Sequence, residues 1–423
     1  MKKKKTILIF FSVFILGFLA GDFESKEFKK KVNNFKIRFL SKQNIDLNQK
    51  DNSDNQKKIK ANSYDLNVKE LISFDVVSDF GLPGHVLRTA SFQMNKNEEN
   101  YDYKIFLQDG QLIKTEGIFK TNLPKRVVYE DAEESQDIVS GGLKSAFTLQ
   151  DKNFGIISNN KSGCNYLSII ELGNNKTLLE GECLPDDEDL DFNGSGGAYF
   201  FEGENLYITI GIPTATGEKT SMLAQDEKSI YGKILKINKR ELLKNDNKKI
   251  QYEIFSIGHR NPQGLVKIND KIFSTEHGPQ GGDEINLIKE KGNYGWPLES
   301  YGTRYGDGES FNKNEIEKSF ERPIFSFLPS IAPSSLGRCP KNLSNFYKLN
   351  ICLLSLSLRE QSLFVILLEK ENNRIQNIEK IKLDKRMRHF GTNLKGDIFF
   401  DDNSFFVSTD DLTILEIKFL NFR

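Results

Sequence analysis

Between residues 258 and 297 the chain reads GHRNPQG, then a strand-length apolar stretch, then TEHGPQGGDEINLI and GNYGWP. His259-Arg260-Asn261-Pro262 sets a guanidinium beside a carboxamide on a turn stiffened by proline, a donor pair suited to carboxylate or carbonyl oxygens. In Glu276-His277-Gly278-Pro279 the Gly-Pro step, followed by Gly281-Gly282, leaves backbone carbonyls bare enough to face a hard cation. Further basic groups stand downstream: Arg359 closes a Ser-Leu-Arg stretch, and Arg386 and Arg388 flank Met387. Upstream, residues 189–212 read DLDFNGSGGAYFFEGENLYITIGI and carry Asp189, Asp191 and Asn193 with no histidine nearby. Taken singly each feature has a bland reading: a surface ion pair, a plain turn or a solvated strand edge.

Residues this far apart meet only if the fold gathers them. A recurring unit does so: a turn containing Gly, Asn or Asp, a short apolar or aromatic strand, then a polar loop. It occurs as Asp109-Gly110 before residues 111–115, at 151–153 before 154–158, 203–205 before 206–210, Asn269-Asp270 before 271–275, Leu349-Asn350 before 351–355, and 401–403 before 404–408. Six such units at blade-like spacing predict an all-β fold, a six-bladed β-propeller over residues 64–423. A β-sandwich is the alternative that a degenerate repeat leaves open. Propellers build their binding site from loops of several blades, which suits functional residues scattered along the chain.

The first residues read as a targeting segment. Lys2 to Lys5 precede an uncharged apolar run at 7–20, long enough for a signal sequence and short for a spanning helix. Residues 1–21 are therefore expected to be a signal peptide or an uncleaved membrane anchor; the poor small-residue pattern before Gly21 leaves both open. The basic flank should stay cytoplasmic, which places the remainder in the periplasm or outside, tethered at most through residues 6–21. Residues 22–63 read as a polar linker. The 59 basic and 59 acidic residues cancel, so nothing favours nucleic acid. Cys164 and Cys183 flank Gly173-Asn174 symmetrically, and a hairpin turning there would oppose them; Cys339 and Cys352 offer a second pair, with four free thiols as the alternative.

Together, GHRNPQG, EHGPQGGDEIN and GNYGWP resemble the signature of the soluble PQQ-dependent glucose and aldose sugar dehydrogenases, the glucose/sorbosone dehydrogenase family. The resemblance implies a six-bladed propeller that binds PQQ and Ca²⁺ and oxidises a sugar or polyol hydroxyl, electrons leaving to an unspecified acceptor. It implies that Arg260, Asn261, Arg359, Arg386 and Arg388 contact the cofactor and that the carbonyls of Gly278 and Pro279 ligate the metal. Leu328, before Pro329-Ser330-Ile331-Ala332-Pro333, stands where many relatives carry a stacking Trp.

The resemblance fails at the base. Counted back without gaps from Ile210-Gly211, Asn193 falls on the family's proton-accepting His and Phe192 on its orienting Asp, while Gly197 replaces an Arg and Ile212 an Asp. A carboxamide accepts no proton near neutral pH. Asp189 or Asp191 is a substitute base only if the loop shifts; His277 accompanies the base in some relatives, and His85 and His389 are expected to be structural. Two readings follow: a PQQ- and Ca²⁺-dependent sugar oxidoreductase, or a propeller that has lost turnover and serves as a ligand-binding or interaction module. A purely structural propeller without cofactor leaves the arginines unexplained.

Overall fold

The computed structural model describes residues 56–74, 88–97, 100–120, 141–185, 188–244, 248–311 and 319–423. The segment read as signal or anchor, and His85, lie outside them.

Five four-stranded antiparallel sheets and one larger sheet follow one another along the chain, which is the six-bladed propeller expected. The innermost strands are Thr89–Asn97, Leu143–Leu149, Gly196–Glu202, Pro262–Ile268, Pro333–Arg338 and Met387–Phe390, and each packs on the next so that the ring closes from the sixth back to the first. The core lies in the wedges between sheets. Phe147, Ile156 and Ile208 fill the second-to-third wedge, and Val266, Phe273, Leu353 and Phe364 the fourth-to-fifth. Strands buried on both faces read as near-continuous Ile, Leu, Val and Phe, as in residues 351–356 and 363–368.

Closure uses both ends of the described chain. Asp65–Ser73 pairs antiparallel with Thr413–Leu420 as the fourth strand of blade six, and Gln56–Lys60 adds outside it. This corrects the expected linker boundary: the last part of residues 22–63 is strand. Its sequence, QKKIK, is exposed along almost its whole length, so it lacks the apolar alternation that marks a strand with a buried face. In the repeat, five units begin the second strand of their blade, but Gln111–Lys114 is the third strand of blade one; the second is Asn100–Leu107. Both cystine pairs form. The chain folds back over residues 172–175 and brings Cys164 to Cys183 with Cα atoms 5.3 Å apart, and Cys339 meets Cys352 at 5.5 Å.

Every inner strand begins with a register shift, at 89/91, 143/145, 196/199, 262/264, 333/335 and 387/389. A bulge re-aims one side chain relative to the ladder. In blades two, four and six the bulged residues are Lys144, Gln263 and Arg388; Lys144 and Gln263 line a narrow central cavity of about 60 Å³ with Ser145, Ser335 and His389.

Candidate functional site

The turn carrying Arg260 is fixed from below. Gly258 has φ +78°, and a Cβ there would meet the Asn293 side chain at 2.2 Å and Tyr294 N at 2.9 Å, so only glycine fits. His259 is fully buried, stacked on Tyr294 at 4.6 Å, with Nε2 2.8 Å from Ser256 Oγ and Nδ1 3.4 Å from Glu276. Backbone N–H groups of Gly258 and His259 donate to Ala224 and Gly232. That neighbouring loop is held by Lys233, wholly buried, whose ammonium donates to the carbonyls of Leu223, Ala224 and Tyr231 at 2.7–2.9 Å. Three acceptors satisfy all three of its N–H groups.

Arg260 then reaches back across the turn. Its Nη1 donates to Gly278 O at 2.8 Å and His277 O at 3.4 Å, its guanidinium lies 5.2 Å from the Trp296 ring centre, and its Nε is buried without a partner among the described residues. The Asn261 Oδ1 accepts from Gly196 N at 3.2 Å and Gln263 Nε2 at 2.6 Å. Asp283 knits the Gly-Pro turn to residues 330–332: it accepts from Gly278 N at 2.9 Å, Ser330 Oγ at 3.1 Å, and Ile331 N and Ala332 N at 2.7 Å each. His277 Nε2 donates to Pro333 O at 2.8 Å. Burial keeps His277 below the usual imidazole range against the pull of Asp283, and Arg260 and Arg388 push the same way.

Arg386 and Arg388 share one carboxylate. Asp410 accepts from Arg386 Nε at 3.0 Å and from Arg388 Nε and Nη2 at 2.8 and 3.0 Å. Arg386 Nη1 also donates to Leu358 O at 3.4 Å, which brings it to the turn of Arg359; Arg359 itself is exposed. A further arginine, Arg88, directly precedes the inner strand of blade one and donates to Asn193 Oδ1. Its pKa is pushed down to about 10 by burial and by Arg388 and Arg386, with Asp410 and Asp191 opposing. Asp191 opposes the same lowering at Arg260. The groups therefore form a closed circuit of mutual influence at one mouth of the channel: Arg88, Asp191, Arg260, His277, Arg388 and Asp410. Sequence reasoning missed Arg88 and Asp410.

The structure also accounts for the departures upstream. Phe192 is 1% exposed in the apolar wedge between blades two and three, where no carboxylate could orient a base. Asp191 caps the short turn Phe192–Gly194 by accepting from Asn193 N at 2.9 Å. Asp189 is exposed, and among the described residues its backbone carbonyl is engaged by Thr214. Gly197 has φ +107°, and a Cβ there would meet Ser145 Cβ at 2.8 Å, so an arginine is excluded by the backbone. Leu328 is 70% exposed, its side chain lying over Gly281, and it offers no aromatic face for stacking.

Both carbonyls expected to bind a metal face protein donors: Gly278 O takes Arg260 Nη1, and Pro279 O takes the Tyr305 hydroxyl at 3.1 Å. Each keeps one lone pair. Among the described residues no group of three or more His, Cys, Asp or Glu could hold a metal ion, so a cation at this turn would rest on backbone oxygens and the ligand. A tricarboxylated quinone fits better: guanidinium groups from separate blades converge, and among the described residues Arg260 Nε has no partner.

His389 lines the channel, its Nε2 donating to Thr89 O at 2.9 Å. Burial, helped by Arg388, holds its pKa at about 4. An unfolded chain binds this proton below pH ~6.5 and the folded chain only below about 4, so the neutral ring's stabilisation is complete above ~6.5 and is lost as pH falls towards 4. Glutamine can keep the Thr89 bond without titrating. Between pH 7 and 4.5 the native chain should lose about 2–3 kcal/mol more than His389→Gln, read from urea midpoints; equal losses would refute the assignment.

A family model, Glucose / Sorbosone dehydrogenase, matches residues 182–405, just over half of the chain. An aldose sugar dehydrogenase of Escherichia coli is 36% identical over 154 residues, 34% of this chain and 40% of the relative. The quinoprotein glucose dehydrogenase B of Acinetobacter calcoaceticus is 36% identical over 103 residues, 23% of this chain and 22% of the relative. The alignments thus span less than half of these curated relatives. The crystal structure of the soluble aldose sugar dehydrogenase of Escherichia coli, in its apo form, superposes with a TM-score of 0.61 over 85% of this chain and 100% of that one at 20% identity, which speaks to the fold alone. With its propeller and its motif-bearing turns matched by that family model, the chain belongs to the glucose/sorbosone dehydrogenase family.

Proposed function

We propose that the chain is an exported oxidoreductase that uses PQQ to oxidise a CH–OH group of a sugar. The observation that carries this reading is the convergence of Arg260, Arg386 and Arg388, with Asn261, on one channel mouth. Arg386 and Arg388 would take the cofactor's carboxylates through N–H groups not committed to Asp410, and Arg359 would cover its outer edge. Arg260 and Asn261 would hold its ring oxygens and nitrogens, and the Gly278 and Pro279 carbonyls would share Ca²⁺ with it. Bound PQQ supplies a two-electron acceptor; the protein's task is to orient the donor, exclude water and receive a proton. The relatives' names, one an aldose sugar dehydrogenase and one a quinoprotein, support the assignment. Export, with or without tethering through residues 6–21, rests on the N-terminal sequence.

The proton is the weak step. Asn193 cannot take it, and Asp191 is the carboxylate within electrostatic reach of Arg88 and Arg260. The donation from Arg88 into Asn193 favours a second reading, a binding module without ordinary turnover. Adding PQQ and Ca²⁺ to the purified protein separates them. Binding at a hundredfold excess over Kd stabilises by about 2.7 kcal/mol and raises the melting temperature by several degrees. A shift with sugar-dependent dye reduction supports the enzyme, a shift alone the binding module, and no shift with either ligand removes both.

A further inference from the structure

We infer that Arg88 and Asn193 form a carboxylate-recognition site beside the cofactor clamp, so that the sugar handled is an acidic one, of the uronate class. This rests on the proposed function and specifies its substrate. A guanidinium can only donate, so the Asn193 atom facing Arg88 Nη1 is its oxygen. The Asn193 backbone N–H is spent on Asp191. What the pair can still offer is therefore mostly donors: the two N–H groups of the carboxamide and the remaining N–H groups of Arg88, beside one remaining lone pair on Asn193 Oδ1. Where relatives place a proton acceptor, this chain places a guanidinium and a carboxamide whose N–H groups outnumber their one free lone pair, a set that favours an anion over a neutral hydroxyl.

Charge points the same way. Among the described residues Arg88 makes no ion pair: of the two carboxylates that support its charge, Asp410 is paired with Arg386 and Arg388, and Asp191 accepts the Asn193 N–H without meeting the guanidinium. A largely buried guanidinium without its own counter-ion is costly, and a ligand carboxylate completes it in fork geometry. A sugar carboxylate and a cofactor carboxylate share this chemistry, and the test must tell them apart.

Titration calorimetry of the purified full chain, with and without PQQ, should compare glucuronate with glucose and galacturonate with galactose. The uronates are expected to bind at least ~10-fold tighter than their neutral twins, about 1.4 kcal/mol. Arg88→Met should abolish the preference while changing PQQ affinity less than ~3-fold. Asn193→Asp, which gives Arg88 an internal partner and so keeps the fold, should abolish it too. Equal binding of neutral and acidic sugars by the native chain, or a preference that survives both substitutions, would overturn the site. So would a ~10-fold loss of PQQ affinity in Arg88→Met with the preference intact, since that assigns the guanidinium to the cofactor. PQQ binding to the native chain tests the underlying function independently.

Discussion

A chain begun at Phe74 should fail to close the propeller, whereas one begun at Gln56 should fold. The difference is the strand Asp65–Ser73 with its flanking Tyr64 and Gln56–Lys60. Tyr64 and Leu66 are fully buried and Val68 nearly so, packed among Phe405, Ile417 and Phe419, and the Tyr64 hydroxyl donates to Glu379 of blade five. Losing the burial of three such side chains forfeits about 5–8 kcal/mol, comparable to the whole net stability of an ordinary domain. The loss also leaves Thr413–Leu420 as a raw edge, open to pairing with other chains. Connectivity supplies the control. Asp65 pairs opposite Leu420, Arg423 N donates to Ser63 O at 2.9 Å, and Arg423 Nη1 meets Asp65 at 2.8 Å, so the two ends already lie together. A permutant that joins Arg423 to Ser63 by a short linker, with new ends at Glu371 in an exposed turn, keeps the strand and should match the Gln56 chain in denaturation midpoint and elution volume. If the Phe74 chain is equally stable and monomeric, the N-terminal strand closes nothing.

How much of this was legible in the sequence depended on distance along the chain and on having a buried face. The Arg260 turn and the Gly-Pro turn sit within one contiguous stretch that carries their glycines and prolines together with His259, Glu276 and Tyr294, so the motif announced itself although Ala224, Gly232 and Pro333, which brace it, lie far along the chain. The hairpin that opposes Cys164 and Cys183 was readable from symmetry about one turn. Arg88 was not, for a definite reason: the repeat in blade one was anchored on its third strand, so the residue heading the inner strand was never set beside Asn261 and Arg386, which head theirs. Asp410 looked like any acidic turn residue; its role exists only because blade six folds its second strand back on Met387–Phe390. The edge strand at 56–60 gave no signal because Ile59 is its one apolar side chain and the other four residues are exposed, which leaves no alternation to read.

Restoring a base at position 193 should require two substitutions. In Asn193→His alone the imidazole inherits the donation from Arg88 Nη1, which claims the lone pair of a neutral ring and leaves only an N–H towards the ligand. The guanidinium, with Arg388 and Arg386 near it, also opposes the imidazolium that proton transfer would create. The single variant should therefore gain less than ~10-fold in PQQ-dependent oxidation of neutral sugars, while Asn193→His with Arg88→Met should gain ~10²- to 10⁴-fold, the usual contribution of a positioned base. The ring would lack an orienting carboxylate, because Phe192 fills the core where one would stand, so the lower end of that range is the expectation. Steady-state dye reduction against pH reads the outcome: the double variant should acquire an acid limb from an imidazole that must be neutral to act, absent from the native chain. Full recovery in the single variant would show that Arg88 does not occupy the acceptor. A double variant that binds PQQ yet stays inert would show that residue 193 does not face the reacting hydroxyl.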